Sequence, residues 1–230
     1  MTVLAIDTST NVMGISLIKD QSVIGETITF INKNHSVRLM PAISTLMEEC
    51  NIKPKELSKI LVAKGPGSYT GVRIGVTVAK SLAFTLNIPI IGVSSLKVLA
   101  ANGRYFNGLV CPIFDARRNL LFTGLYDFRG QVTNEVLEDC NIDRSIWIEK
   151  LKSYNEQILF IGNDVSIHKE FIIEHLKDKA VFAKESLNNQ RPSELFTCSL
   201  EEKEESVHNF APEYLRLSEA EANWLASQEK

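Results

Sequence analysis

The sequence predicts an α/β protein of two related lobes, and three observations carry that reading. Short apolar runs alternate with stretches of helical period. An apolar run ending in aspartate occurs twice, Val3–Ile6 before Asp7 and Val110–Phe114 before Asp115, with Asn11 and Asn119 at the same offset. The run Ile158–Ile161 with Gly162 then echoes Ile60–Ala63 with its following Gly65, in the same order along the chain.

Val3–Ile6, Met13–Ile18 and Ser22–Ile31 read as three strands of a meander, because the links between them are short and polar. A helix follows over His35–Cys50, where Leu39, Met40, Ile43, Leu46, Met47 and Cys50 recur at helical spacing. Pro41 lacks an N–H, which predicts a helix start close by or a kink. Pro54–Ser58 reads as a short helical piece and Ile60–Ala63 as a strand. Gly65–Gly75, GPGSYTGVRIG, is a glycine-rich turn that opens a helix over Thr70–Leu86, stopped by Asn87 and Pro89. Ile90–Val93 reads as a buried strand, and Ser94-Ser95 as caps for a helix over Leu96–Ala101. Past the turn signals Asn102-Gly103 and Asn107-Gly108 the pattern restarts. That sets the expected lobes at 1–104 and 105–230, the second shorter in helix and more irregular. The acidic run Glu201–Glu205 is expected to be a solvated helix face, and the tail to be able to pack back on the first lobe.

Composition narrows the function classes. The chain is 44% hydrophobic and 23% charged, with a net charge of −3, so it is not a basic module that coats polyanions, although a local basic patch stays open. Its four cysteines stand more than four residues apart, which excludes a CxxC metal or redox pair. No run approaches the roughly 18 apolar residues of a membrane span. The expectation is a reduced, soluble, cytoplasmic protein.

Two groups of residues bear on chemistry. Asp7, with Thr8, Ser9 and Thr10 behind it, could hold a hydrated cation or orient a phosphate, or cap a turn with Ser9. Gly65, Gly67, Ser68 and Thr70 could cradle an anion at a helix start, or make a tight turn with Thr70 as cap. The segment matches neither GxxxxGK[ST] nor GxGxxG. With Asp115, these residues (Asp7, Ser9, Gly65, Gly67, Ser68 and Thr70) would line a nucleotide cleft. The position four beyond His35 is Leu39, so no HxxxH pair exists, and His168 and His175 have no acidic or cysteine companion at ligand spacing. No Ser-His-Asp or Cys-His set assembles. No catalytic and no metal-ligating residues are therefore assigned. The helix over 70–86 is apolar on two opposed faces, one of Val72, Val76, Ala79, Ala83 and Leu86, the other of Ile74, Val78 and Leu82. Its second face needs a cover, from this chain or from another.

IDTST at 6–10, GPGSYTGVRIG at 65–75, FDARRNLLF at 114–122 and PEYLR at 212–216 together resemble the TsaB (YeaZ) family. These pieces span nearly the whole chain, though 140–205 carries no recognised motif. The resemblance implies an actin-like fold of the sugar-kinase/Hsp70 type, with two RNase H-like lobes, the second degenerate. It implies a subunit without catalysis of its own in the threonylcarbamoylation of N6 of adenosine 37 in ANN-decoding tRNAs. The implied partners are TsaD (also called Gcp or YgjD), which looks like a relative carrying the metal-binding HxxxH, the ATPase TsaE, and tRNA through the complex. Pairing is implied through the helices at 36–50 and 70–86, hence through Leu39, Met40, Ile43, Met47, Arg73, Ile74, Val78 and Leu82, with a homodimer as the self-pairing form. No cofactor is certain, and an adenine nucleotide at the complex interface stays open. The alternative is an ATP-binding phosphotransferase or ATPase of the same fold. A peptidase finds no nucleophile set.

Overall fold

The computed structural model describes residues 1–31, 34–130 and 133–216. The first half runs β1 (Thr2–Asp7), β2 (Met13–Lys19), β3 (Ser22–Thr29), α1 (His35–Glu49), β4 (Leu57–Gly65), α2 (Tyr69–Leu86), β5 (Ile90–Ser94) and α3 (Ser95–Ala100). The second half repeats that order with β6 (Leu109–Asp115), β7 (Leu120–Asp127), β8 (Asn134–Asp143), α4 (Arg144–Lys152), β9 (Ile158–Ile161), α5 (Val165–Leu176), β10 (Ala180–Phe182) and α6 (Glu194–Cys198). The sheets are ordered β3-β2-β1-β4-β5 and β8-β7-β6-β9-β10. In each, an antiparallel meander supplies three strands and two further strands run parallel to the first. The repeat seen in the two aspartates is thus a repeat of topology: two RNase H-like lobes in an actin-like α/β fold.

β1 explains why its sequence is apolar without alternation. Side chains alternate between the faces of a strand. Leu4 and Ile6 enter the core beneath α1 and α2, while Val3 and Ala5 enter a second core on the opposite face. A strand covered on both sides reads as a continuous apolar run. The second lobe is built alike, with Leu109, Cys111 and Ile113 under α4 and α5.

Several expectations change in detail. The helical piece at 54–58 reduces to one 3-10 turn, Pro54–Glu56. β4 already starts at Leu57, because Leu57 pairs with Thr2 and the Ser58 hydroxyl donates to the Thr2 carbonyl at 2.8 Å. α1 continues through Pro41, whose missing N–H would have met the carbonyl of the exposed Val37. Ser68, not Thr70, caps α2, accepting from the Gly71 N–H at 3.3 Å.

The lobes exchange their last helices. α3 packs on β6 and β7 while Val98 keeps it on β4 and β5, and α6 packs on β1 and β4. Leu96, Leu99 and Ala100 join Val110, Phe114 and Tyr126, while Leu195 and Cys198 join Val3, Ala5 and Leu61. The chain past α6 first runs along the first lobe. Lys97 reaches Glu201 and Glu202 at 3.3 and 3.1 Å, and Lys59 reaches Glu204 at 2.9 Å. The Glu205 N–H donates to the Ile90 carbonyl, and the Lys80 ammonium to that of Phe210. The acidic run is therefore not a solvated helix face. Only Ser199–Glu201 makes a helical turn, and the carboxylates that follow are held by lysines of the first lobe. The tail beyond 216 lies outside the described residues.

One polar cluster joins the lobes. Asp139 of β8 accepts from the Ser94 hydroxyl, which also caps α3, and from the Tyr126 hydroxyl. Burial pushes the Asp139 carboxyl up to about 6, against the pull of its two hydroxyl donors. With the folded value above the unfolded one, the native state binds more protons between pH 4 and 6, so this group costs stability as pH rises through that window. The full cost is about 3 kcal/mol. The variant Asp139→Asn is expected to gain on the parent in urea unfolding between pH 4 and 6.5. A gap that stays constant with pH would show that the ionised carboxylate is not penalised.

Candidate functional site

The two equivalent turns, between β1 and β2 and between β6 and β7, face each other across a cleft between the lobes of about 640 Å³. Ser9, Thr10 and Asn11 form one lip, Asp115, Ala116 and Arg117 the other, and Gly67, Ser68 and Thr70 form the floor at the start of α2.

The glycine-rich block is built around the first turn. A Cβ on Gly67 would collide with the Ser9 carbonyl, and one on Gly71 with the Thr8 carbonyl. The turn can therefore lie directly on the start of α2. Ser68 N–H donates to the Ser9 carbonyl at 2.7 Å, and the Thr8 hydroxyl to the Gly71 carbonyl at 2.7 Å. The N–H groups of Ser68 and Gly71 are thus already used, which leaves little of a phosphate cradle.

Asp7 behaves first as a turn cap. Its Oδ1 accepts from the Ser9 N–H at 2.8 Å and from the Ser9 hydroxyl at 2.7 Å. Its Oδ2 is buried without a hydrogen-bond partner, and burial raises the carboxyl above its usual range despite the Ser9 bonds and the nearby His35. His35 Nε2 meets the Thr10 carbonyl at 2.9 Å, and its Nδ1 is likewise buried and unpartnered. Gly65 stands apart from the cleft. Its φ is +116°, and the space of its absent Cβ is taken by the Glu213 carbonyl.

The fold adds residues that no motif announced. Asn163, Asp164, Asn188 and Gln190 line the cleft, together with Arg216 of the PEYLR segment. Asp164 follows the glycine that echoes Gly65, and its Oδ2 accepts the Asp115 N–H at 2.9 Å. His168, which lacked a companion in sequence, meets the Asp115 carboxylate at 3.2 Å. Among the described residues no group of three or more His, Cys, Asp or Glu side chains could hold a metal ion. The four cysteines are free thiols, and burial pushes Cys111 up to about 12.

The outer face of α1 and α2 is the second surface of interest. Leu39, Ile43 and Met47 turn inward and are buried in the first core, so they cannot touch another molecule. Helical period alone could not tell the inner from the outer edge of that broad stripe. Met40 and Val37 are exposed, at 46% and 68%. On α2 the face of Ile74, Val78 and Leu82 is half-buried, resting on the core with one side open. Between the helices runs a groove of about 370 Å³, floored by Ile74 and Val78 and bordered by Ser36, Tyr69, Arg73 and Thr77.

A family model described as TsaD, tRNA N6-adenosine threonylcarbamoyltransferase, matches residues 26–224. The tRNA threonylcarbamoyladenosine biosynthesis protein TsaB of Bacillus subtilis is 52% identical over 228 residues, 99% of this chain and 100% of that one. The protein of the same name in Escherichia coli is 30% identical over 146 residues, 60% of this chain and 63% of that one. Among solved structures, YeaZ from Pseudomonas aeruginosa superposes with a TM-score of 0.75 over 93% of this chain and 99% of that one, at 23% identity, a likeness of fold. No helix among the described residues is long and apolar enough to cross a membrane.

Proposed function

The chain belongs to the TsaB family of tRNA threonylcarbamoyladenosine biosynthesis proteins, and from that membership we propose that it serves the threonylcarbamoylation of adenosine 37 in tRNA as a cytoplasmic partner subunit without catalysis of its own. It would dimerise with a TsaD-type subunit and support it, with a TsaE-type ATPase and tRNA joining the larger assembly. The observation that carries this reading is the open face of α1 and α2. A groove floored by Ile74 and Val78, together with the exposed Val37 and Met40 of α1, leaves apolar surface that the described residues do not cover. A related two-lobed subunit offers a pseudo-symmetric mate for it, and a second copy of this chain offers the same pairing. The interface is then Met40, Arg73, Ile74, Val78 and Leu82, joined by Val37.

The lack of own chemistry is supported by α1. Where a catalytic relative would carry the second histidine of HxxxH, this chain has Leu39, fully buried in the core. The cleft also suits a triphosphate poorly, because Ser68 and Gly71 N–H are engaged and Asp115 and Asp164 add negative charge to its wall.

Purified chain given threonylcarbamoyl-adenylate and tRNA is expected to make no modified tRNA, and addition of a TsaD-type subunit with a TsaE-type ATPase to restore it. Mass spectrometry of digested tRNA reads the result. Modification by this chain alone would overturn the proposal. One observation favours a second reading, an ATPase or phosphotransferase: the unpartnered Oδ2 of Asp7 beside the cleft. Tight ATP binding and turnover, both lost in Asp7→Ala, would establish it.

A further inference from the structure

A second concavity of about 380 Å³ opens at the mouth of the cleft and shares Gly67, Tyr69, Arg117, Phe122 and Arg216 with it. We infer that this mouth binds a short single-stranded stretch of RNA, with phosphates on Arg117 and Arg216 and a base stacked on Tyr69. Three observations support the site.

Charge comes first. Three other arginines are neutralised: Arg104 by Glu194, Arg129 by Asp127 and Glu156, Arg191 by Glu26. Among the described residues no carboxylate stands within ion-pair distance of Arg73, Arg117 or Arg216. The carboxylate that lines this concavity, Glu213, is itself held by Lys64 at 3.3 Å. A chain of net charge −3 thus carries a cationic patch at this mouth, which points polyanions there.

The second observation is aromatic. Tyr69, nearly half exposed, packs on Tyr214 with ring centroids 5.1 Å apart, and the Arg73 guanidinium lies 5.1 Å from the Tyr69 centroid. Stacking rings among arginines are what single strands use, since every base presents a π-face. An acidic peptide would use the charges but not the rings.

The third is a loop held in a costly shape. Arg117, Arg118 and Asn119 are consecutive left-handed residues, with φ of 63°, 54° and 62°, where such residues normally occur singly. The Arg216 guanidinium donates to the Ala116 carbonyl at 3.0 Å and ties the tail to this loop. Strain of this kind collects at binding sites.

The site rests on the proposed role in tRNA modification only for the natural source of the strand. Its test needs neither partner nor modification, so the two can fail separately. Anisotropy of a labelled single-stranded RNA of about eight nucleotides, titrated with purified chain at about 50 mM salt, is expected to show saturable binding. Arg117→Ala with Arg216→Ala should weaken it at least about tenfold and cut the salt slope by about 1.4. Tyr69→Ala should weaken it by about fivefold or more, and Tyr69→Phe should retain it. Arg129→Ala should change nothing. If the double variant loses its native circular dichroism, Arg117→Gln alone, which leaves the Arg216 bond intact, must still lose about fivefold. Unchanged binding in these variants overturns the inference. So does displacement of the RNA by excess ATP, which would place the ligand inside the cleft, or equal competition by polyglutamate, which would make the patch a peptide site.

Discussion

Val37→Glu combined with Met40→Glu is expected to lower affinity for a TsaD-type subunit, and self-association, by more than about 100-fold while leaving the fold intact. Both side chains point away from the core, at 68% and 46% exposure, and surface changes of that kind move stability by about 0.5 kcal/mol or less. At an apolar interface the same two carboxylates would be stripped of water with no partner, at several kcal/mol in total. Sizing chromatography and titration calorimetry read the association, and thermal melts read the fold. Val78→Glu makes the sharper version, since Val78 floors the groove, but it also touches the core and will lose some stability. A Val37/Met40 double variant that binds as well as the parent would move the interface off these helices.

Gly71→Ala is expected to destabilise the chain by about 3 kcal/mol or more, although alanine is the better helix former by about 1 kcal/mol. The sign is decided by the Thr8 carbonyl, against which an added Cβ would be driven. That oxygen belongs to backbone, and the turn bearing it is fixed by the Thr8 hydroxyl bond to the Gly71 carbonyl and by Ser68 N–H. Nothing flexible can give way. In a chain of this size the loss corresponds to about 6–12 °C in melting temperature. A variant that melts higher than the parent would mean that the turn does not sit on α2 as described.

The lobes were legible because their signals are local and doubled. A strand buried on both faces shows as an unbroken apolar run at Val3–Ile6, and the same run ending in aspartate returns at Val110–Phe114. The glycines were legible as a turn, but what they admit was not. Only the fold brings the carbonyls of Thr8 and Ser9 onto Gly71 and Gly67. The outer face of α1 was half legible. Period 3.6 identified the stripe, while the position of the sheet, unknown to the sequence, decided that Leu39, Ile43 and Met47 lie inside and Met40 and Val37 outside. Asp164 and Gln190 could not be found in advance, because they reach the cleft from two separate loops of the stretch in which no motif was recognised. Glu201–Glu205 misled for a related reason: its lysine partners Lys97 and Lys59 lie more than 100 residues earlier in the chain.

The exchange of α3 and α6 also bears on how the chain is made. During synthesis the first sheet is complete once Ser94 has emerged, yet the face bearing Val3, Ala5 and Leu61 has only Val98 and Ala101 for cover until Leu195 and Cys198 arrive. At about 5–20 residues per second that interval is on the order of 5–20 s. Through it the nascent chain leaves part of a finished sheet face greasy and open, a target for chaperones. The oldest part of the polypeptide is thus sealed by almost the youngest.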